Sequence, residues 1–189
     1  MKGQSIEDLY VDQLRDLYDA ERQIIKALPK MIRAAASDEL KAALNQHLEV
    51  TKEQEQRIVQ IFEGRGEKLK AQKCKGMNGV LEEGSELVEK DWEEVVRDAA
   101  IIAAAQRVEH YEMSGYGTAC ALATLLGEDE AAQLLEKTLE EEKEADQKLT
   151  DLSESINEEA RDQSEEGVSG KEPRTETRKE LSPRKKHVA

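Results

Sequence analysis

Residues 107–116, RVEHYEMSGY, constrain the fold of this chain more than any other stretch, because they set two acids into the apolar stripe of a long helix. Ile102, Ala105, Glu109, Glu112, Tyr116 and Ala119 recur at the three- and four-residue steps that line one helix face. Two carboxylates therefore point toward a core. An ionised carboxylate withdrawn from water costs several kcal/mol or more unless it is paired, protonated or bound to a cation, so other segments must bring its partner.

The rest of the chain reads as helix. Aromatic residues make up only 3% of its 189 residues, it holds three prolines, and 37% of it is charged, so the β-branched and aromatic runs of sheets are missing. The fold class is all-α. A formal charge of −14 disfavours nucleic acid or an anionic membrane as partners of the helical body and favours cations. No window approaches the roughly 18–20 apolar residues of a membrane span, and the opening MKGQSIEDLYV carries no secretory segment. Cys74 and Cys120 lie far apart and form neither a disulfide framework nor a thiolate metal spacing. A cytoplasmic protein is expected.

A first helix is predicted from Ser5, spaced to Asp8 as in a capping box, toward Ala36. Its stripe of Tyr10, Leu14, Leu17, Ile24, Leu28 and Met31 is interrupted by Glu21, and its spacing continues through Pro29. Ser37 is the predicted cap of a second helix that ends at Gly64 and Gly66, with His47 interrupting the stripe of Leu40, Leu44, Thr51, Gln54, Ile58 and Ile61. Residues 66–95 are long enough to return the chain along the bundle and hold a short helix over residues 77–90. A third long helix over residues 94–126 ends at Gly127, and Gly115 and Gly117 within it mark close helix contacts. The last, over residues 129–156, has Glu142 and Asp146 on its apolar face. Residues 1–156 form the predicted bundle, and 157–189 are expected to be a disordered polar tail.

Glu21, His47, Glu109 and Glu142 fall on four separate helices, each near the midpoint, and antiparallel packing brings them to one height with Glu112 and Asp146 a turn away. So many carboxylates without metal would repel one another and take up protons. Two divalent cations remove the repulsion, and a carboxylate and imidazole set suits iron or manganese. Taken singly, each of these residues has an ordinary reading as a satisfied core group. Tyr18, Tyr111 and Tyr116 read as core aromatics, with hydrogen bonds to the carboxylates as the other option.

The motifs LxDLYxAExQ at residues 14–23, HLExT at 47–51, AAAQRVEHYE at 103–112 followed by YGT, and TLEEEKxxDxKLTDL at 138–152 resemble the YciF-type bacterial stress proteins of the ferritin-like superfamily. The resemblance implies a ferritin-like four-helix bundle with a long crossover containing a short helix between helices two and three. It also implies a homodimer and a site for two iron or manganese ions at Glu21, His47, Glu109, Glu112, Glu142 and Asp146. Members of that family commonly read HLEET, whereas this chain has Val50, which removes one carboxylate from the side that His47 faces. Two functions stay open. One is a di-metal stress-protection protein oxidising ferrous iron with dioxygen or peroxide; the other is a non-catalytic helical interaction protein that retains no metal.

Overall fold

The computed structural model describes residues 5–169, and among them the chain forms five helices and no strand. These are α1 (Ile6–Ala34), α2 (Asp38–Gly64), α3 (Lys75–Val88), α4 (Glu94–Leu126) and α5 (Asp129–Ser169). Helices α1 and α2 form one hairpin and α4 and α5 another; α1 also packs on α4 and α2 on α5, which closes a four-helix bundle. The short α3 belongs to the crossover between α2 and α4 and lies against α1 and α4. This is the expected architecture, with α3 starting and ending two residues earlier than its apolar spacing suggests.

Local chemistry sets the helix ends. Ser5 opens α1 with a capping box: its hydroxyl accepts from the Asp8 amide at 3.1 Å and its own amide donates to the Asp8 carboxylate at 2.8 Å. Helix α1 runs through Pro29, whose missing donor costs one helical hydrogen bond, because apolar positions on both sides hold it in the core. Ser37 caps α2 by accepting from the Leu40 amide. The adjoining turn is tied to α4 by buried Asp98, which accepts from the amides of Ala36 at 2.8 Å and Ser37 at 2.7 Å. Gly66 beyond α2 and Gly127 at the end of α4 take the left-handed backbone that favours glycine, with φ of 64° and 74°.

The crossover is anchored on α1. The Cys74 amide donates to Asp19 at 2.9 Å, its Sγ contacts Asp16 at 3.1 Å, and its carbonyl accepts from Gln23 at 3.0 Å. At the other end of the chain α5 continues past Ile156, where the apolar stripe ends, and Ala160 still packs against the core. Glu158, Glu159, Ala160 and Arg161 are helix formers, and no glycine or proline interrupts before Gly167. Of the tail expected over residues 157–189, residues 157–169 are helical instead, and residues 170–189 lie outside the described residues.

The apolar core falls into two parts. One joins Ile24, Leu28, Leu40, Leu44, Ile101, Ile102, Leu149 and Ile156 with the inner face of α3. The other joins Tyr10, Leu14, Ile58, Phe62, Tyr116, Ala123 and Leu135. Between them, on all four long helices, lie the buried polar residues Glu21, Thr51, Gln54, Glu109, Glu112, Thr138 and Glu142.

A Cβ built on Gly115 would come within 2.8 Å of Leu17 Cδ2, whereas one on Gly117 meets nothing within 4 Å. Close packing therefore explains Gly115, and the same expectation for Gly117 is corrected. Gly117→Ala should raise stability by about 1 kcal/mol through helix propensity. Gly115→Ala should give no gain, since overpacking of about 1–3 kcal/mol opposes the same term. Urea unfolding of both variants checks the contrast, and equal gains would contradict it.

Candidate metal centre

The polar layer is built from mid-helix positions that the apolar spacing turns inward. One ligand-type atom each from His47 of α2, Glu109 and Glu112 of α4 and Glu142 of α5 lie within 4.8 Å of one another. His47 Nε2 stands 3.4 Å from Glu109 Oε1, close but not a hydrogen bond. Glu21 of α1 borders the group: it accepts a hydrogen bond from the Tyr116 hydroxyl, and its carboxyl reaches that of Glu112. Asp146 sits at the rim, with 22% of its side chain exposed, 3.2 Å from Gln106 Nε2 and 3.4 Å from His110 Nε2. Of the six residues expected at a metal site, the structure thus clusters four, sets Glu21 beside them and Asp146 at the edge.

These groups are buried and short of donors. Glu21, Glu112 and Glu142 are 0% exposed and Glu109 is 2% exposed. Glu21 Oε2, His47 Nε2, Gln54 Oε1, Glu109 Oε2 and both carboxyl oxygens of Glu112 and of Glu142 have no hydrogen-bond partner. Eight such atoms in one layer exceed what a folded core ordinarily leaves unpaired. The hydroxyls nearby are already engaged: Thr51 donates to the His47 carbonyl, and Thr138 donates to that of Leu134 while accepting from Arg57. The donor set and the orphaned oxygens fit divalent cations, because four glutamates carry four negative charges and two divalent ions balance them.

Burial is the largest influence on every titrating group of the layer. It pushes Glu21, Glu109 and Glu112 well above the ordinary carboxyl range, and their mutual charges push the same way. Glu142 is pushed up to about 7 by burial, with Gln54 and Arg57 among the groups opposing the rise. His47 is pushed down to about 4 by burial, so its imidazole is neutral at physiological pH and offers a lone pair. Burial and the Glu21 carboxylate both raise the Tyr116 hydroxyl, which keeps it a donor.

Two supports of the layer were not singled out from sequence. Gln54 is buried at the layer and donates to Glu141 Oε2 at 3.3 Å, and Arg57 donates to Glu141 Oε1 at 2.8 Å and to Thr138 at 3.0 Å. Gln54 stood in the α2 stripe as a polar interruption, which was its available signal; Arg57 gave none, since periodicity does not announce an ion pair between α2 and α5. Tyr116 bonds Glu21, while Tyr111 instead meets Cys74 Sγ at 3.0 Å and Asp16 at 3.2 Å, and Tyr18 lies under Arg22.

Four long helices enclosing a carboxylate layer, with a crossover between the second and third, define a ferritin-like helical bundle. The ferritin-like fold also appears in a two-domain protein of Anabaena variabilis, matched at a TM-score of 0.54 and 17% identity over 94% of this chain and 43% of that one. The model of the domain of unknown function DUF892 matches residues 5–161, and the chain belongs to that family. It is 48% identical to Protein YciF of Escherichia coli K12 over 154 residues, 81% of this chain and 93% of that protein. The crystal structure of that E. coli stress protein superposes with a TM-score of 0.79, covering 84% of this chain and 99% of that one. The YcfI structure from Rhodopseudomonas palustris gives 0.76 at 44% identity over 78% of this chain and 94% of that one.

The raised carboxyls fix a sign. A glutamate whose folded pKa lies above its unfolded value contributes stability at low pH that is lost as pH rises through the folded value. Lowering the pH of metal-free protein from about 8 to about 6.5 should therefore raise its transition temperature, and the rise should shrink in Glu142→Gln. His47 acts oppositely, but only below its unfolded value of 6.5, where the unfolded chain takes the proton first. A flat or falling transition temperature over that window contradicts the raised carboxyls.

Proposed function

We propose that the layer holds a pair of iron or manganese ions and that the protein serves stress protection by oxidising ferrous iron with dioxygen or peroxide. The observation that carries this reading is the set of buried carboxylate oxygens with no donor, gathered around a neutral imidazole. The description of the E. coli relative as a stress protein supports the physiological setting. When bound, the ions would supply the redox chemistry, in which two ferrous ions would each lose one electron and dioxygen with two protons would leave as hydrogen peroxide, or hydrogen peroxide with two protons as two waters.

The chain's own residues do the remainder. Glu109 and Glu112 present carboxylates from successive turns of α4, Glu21 and Glu142 face them from α1 and α5, and His47 contributes the nitrogen. The Tyr116 hydroxyl holds one Glu21 oxygen and leaves the other free. Gln54 and Arg57 fix Glu141 and so orient the α5 turn that carries Glu142. Asp146 occupies the rim, where it can receive cations from solvent before they reach Glu109. No helix among the described residues is long and apolar enough to cross a membrane.

A second reading has an observation behind it. Glu21 with Glu112, and Glu109 with Glu142, stand close enough to share protons, and Val50 offers no carboxylate, so an interaction protein with a metal-free, protonated layer is the competing account. Glu109→Gln separates the two. With metal bound, losing this ligand should cut affinity at least about tenfold and remove metal-dependent stabilisation. Without metal, losing one charge from a repelling cluster should raise stability or leave it unchanged, with Glu109→Ala worse than Gln because it opens a cavity. Equal destabilisation in both states would make Glu109 a structural hydrogen-bonding residue and contradict the metal reading.

A further inference from the structure

Beneath α3, an apolar cavity of about 30 Å³ lies among α1, α2 and α4, with His47 and Glu109 of the carboxylate layer in its lining. Those two are the polar side chains among its walls; the rest is aliphatic, including Met31, Leu44, Val80, Leu81, Ala105 and Val108. Helix α3 forms the outer wall, seated so closely on α4 that a Cβ on Gly84 would lie 3.1 Å from Ala104 Cβ. Thus the crossover helix covers an apolar space that borders the layer.

Size and polarity select the occupant. A single water needs about 10–15 Å³ of such space, so the cavity has room for one or two molecules of two or three atoms. Water wants two to four polar partners, and it finds acceptors only beside His47 and Glu109, none along the aliphatic walls. Hydrogen peroxide would leave its two hydroxyl donors unpaired along the same aliphatic walls. A diatomic without hydrogen-bonding needs loses nothing there.

Building on the di-metal reading, we propose that this cavity is a dioxygen pocket that delivers the oxidant to the His47 and Glu109 side of the carboxylate layer under the cover of α3. The pocket is built from side chains of the protein alone. It also separates the two oxidants: dioxygen takes the route beneath α3, and peroxide does not depend on it.

Xenon is the probe, because it occupies apolar cavities without needing metal or chemistry. In metal-free full-length protein, xenon-dependent methyl shifts should show one saturable site at Val80, Leu81 and Val108. Ala105→Val, which fills the cavity, should weaken it at least about tenfold, and Leu81→Ala, which widens it, should strengthen it several-fold. No saturable xenon site, or an affinity that neither variant moves, overturns the pocket. In ferrous-loaded protein, Ala105→Val should slow iron oxidation by dioxygen about tenfold and leave oxidation by hydrogen peroxide unchanged. Equal effects on both oxidants, or none on either, overturn the delivery role. A chain that binds xenon as described but retains no iron overturns delivery together with the di-metal reading, and leaves the gas site standing alone.

Discussion

Glu21, Glu109, Glu112 and Glu142 share one buried layer of a helical bundle, and they cannot all be anions there without something positive among them. The positive groups nearby do not meet that need. Arg57 is committed to Glu141 and Thr138, and His47, pushed down to about 4, is neutral at physiological pH. The layer has two ways out, protons or cations. Each makes the stability of the whole bundle depend on what the solution supplies, because the layer separates the two apolar halves of the core.

That dependence explains why so much of the surrounding structure fixes rather than fills. Tyr116 spends its hydroxyl on Glu21, Thr51 on a backbone carbonyl, and Gln54 and Arg57 on the α5 turn beside Glu142. Tyr116 holds Glu21 without quenching it, since Glu21 Oε2 stays unpartnered, and the other three fix the backbone and the neighbouring Glu141 and leave Glu109, Glu112 and Glu142 unquenched. Asp98 and the Cys74 junction do comparable work for the frame, tying the α1–α2 turn to α4 and the start of α3 to α1. Helix α3 is thereby held over the one side of the layer that faces an apolar cavity.

Much of this was legible in the sequence because it follows from period and punctuation. Ser5, Ser37 and Gly127 mark helix ends that the structure reproduces, and the three- and four-residue spacing is what turns Glu21, His47, Glu109, Glu112 and Glu142 inward. Period says which way a side chain faces, and it does not say what it meets. The Tyr116 to Glu21 bond, the Arg57 to Glu141 pair and the Asp98 cap all join helices distant in sequence, so local pattern carried no trace of the partners. Asp146 shows the limit from the other side: four residues from Glu142 it is rotated about 40° around the helix, enough to set it against His110 and Gln106 at the rim. Helix α5 outlasts its apolar stripe because propensity continues where burial stops.

Metal content is the most direct test of the central claim. Full-length protein purified without chelator from cells supplemented with iron or manganese should carry about two ions per chain, since a buried set of carboxylates and imidazole releases metal slowly enough to survive purification. Fewer than about 0.2 ions per chain under those conditions would contradict the account and leave a protonated carboxylate layer as the state in which this bundle exists.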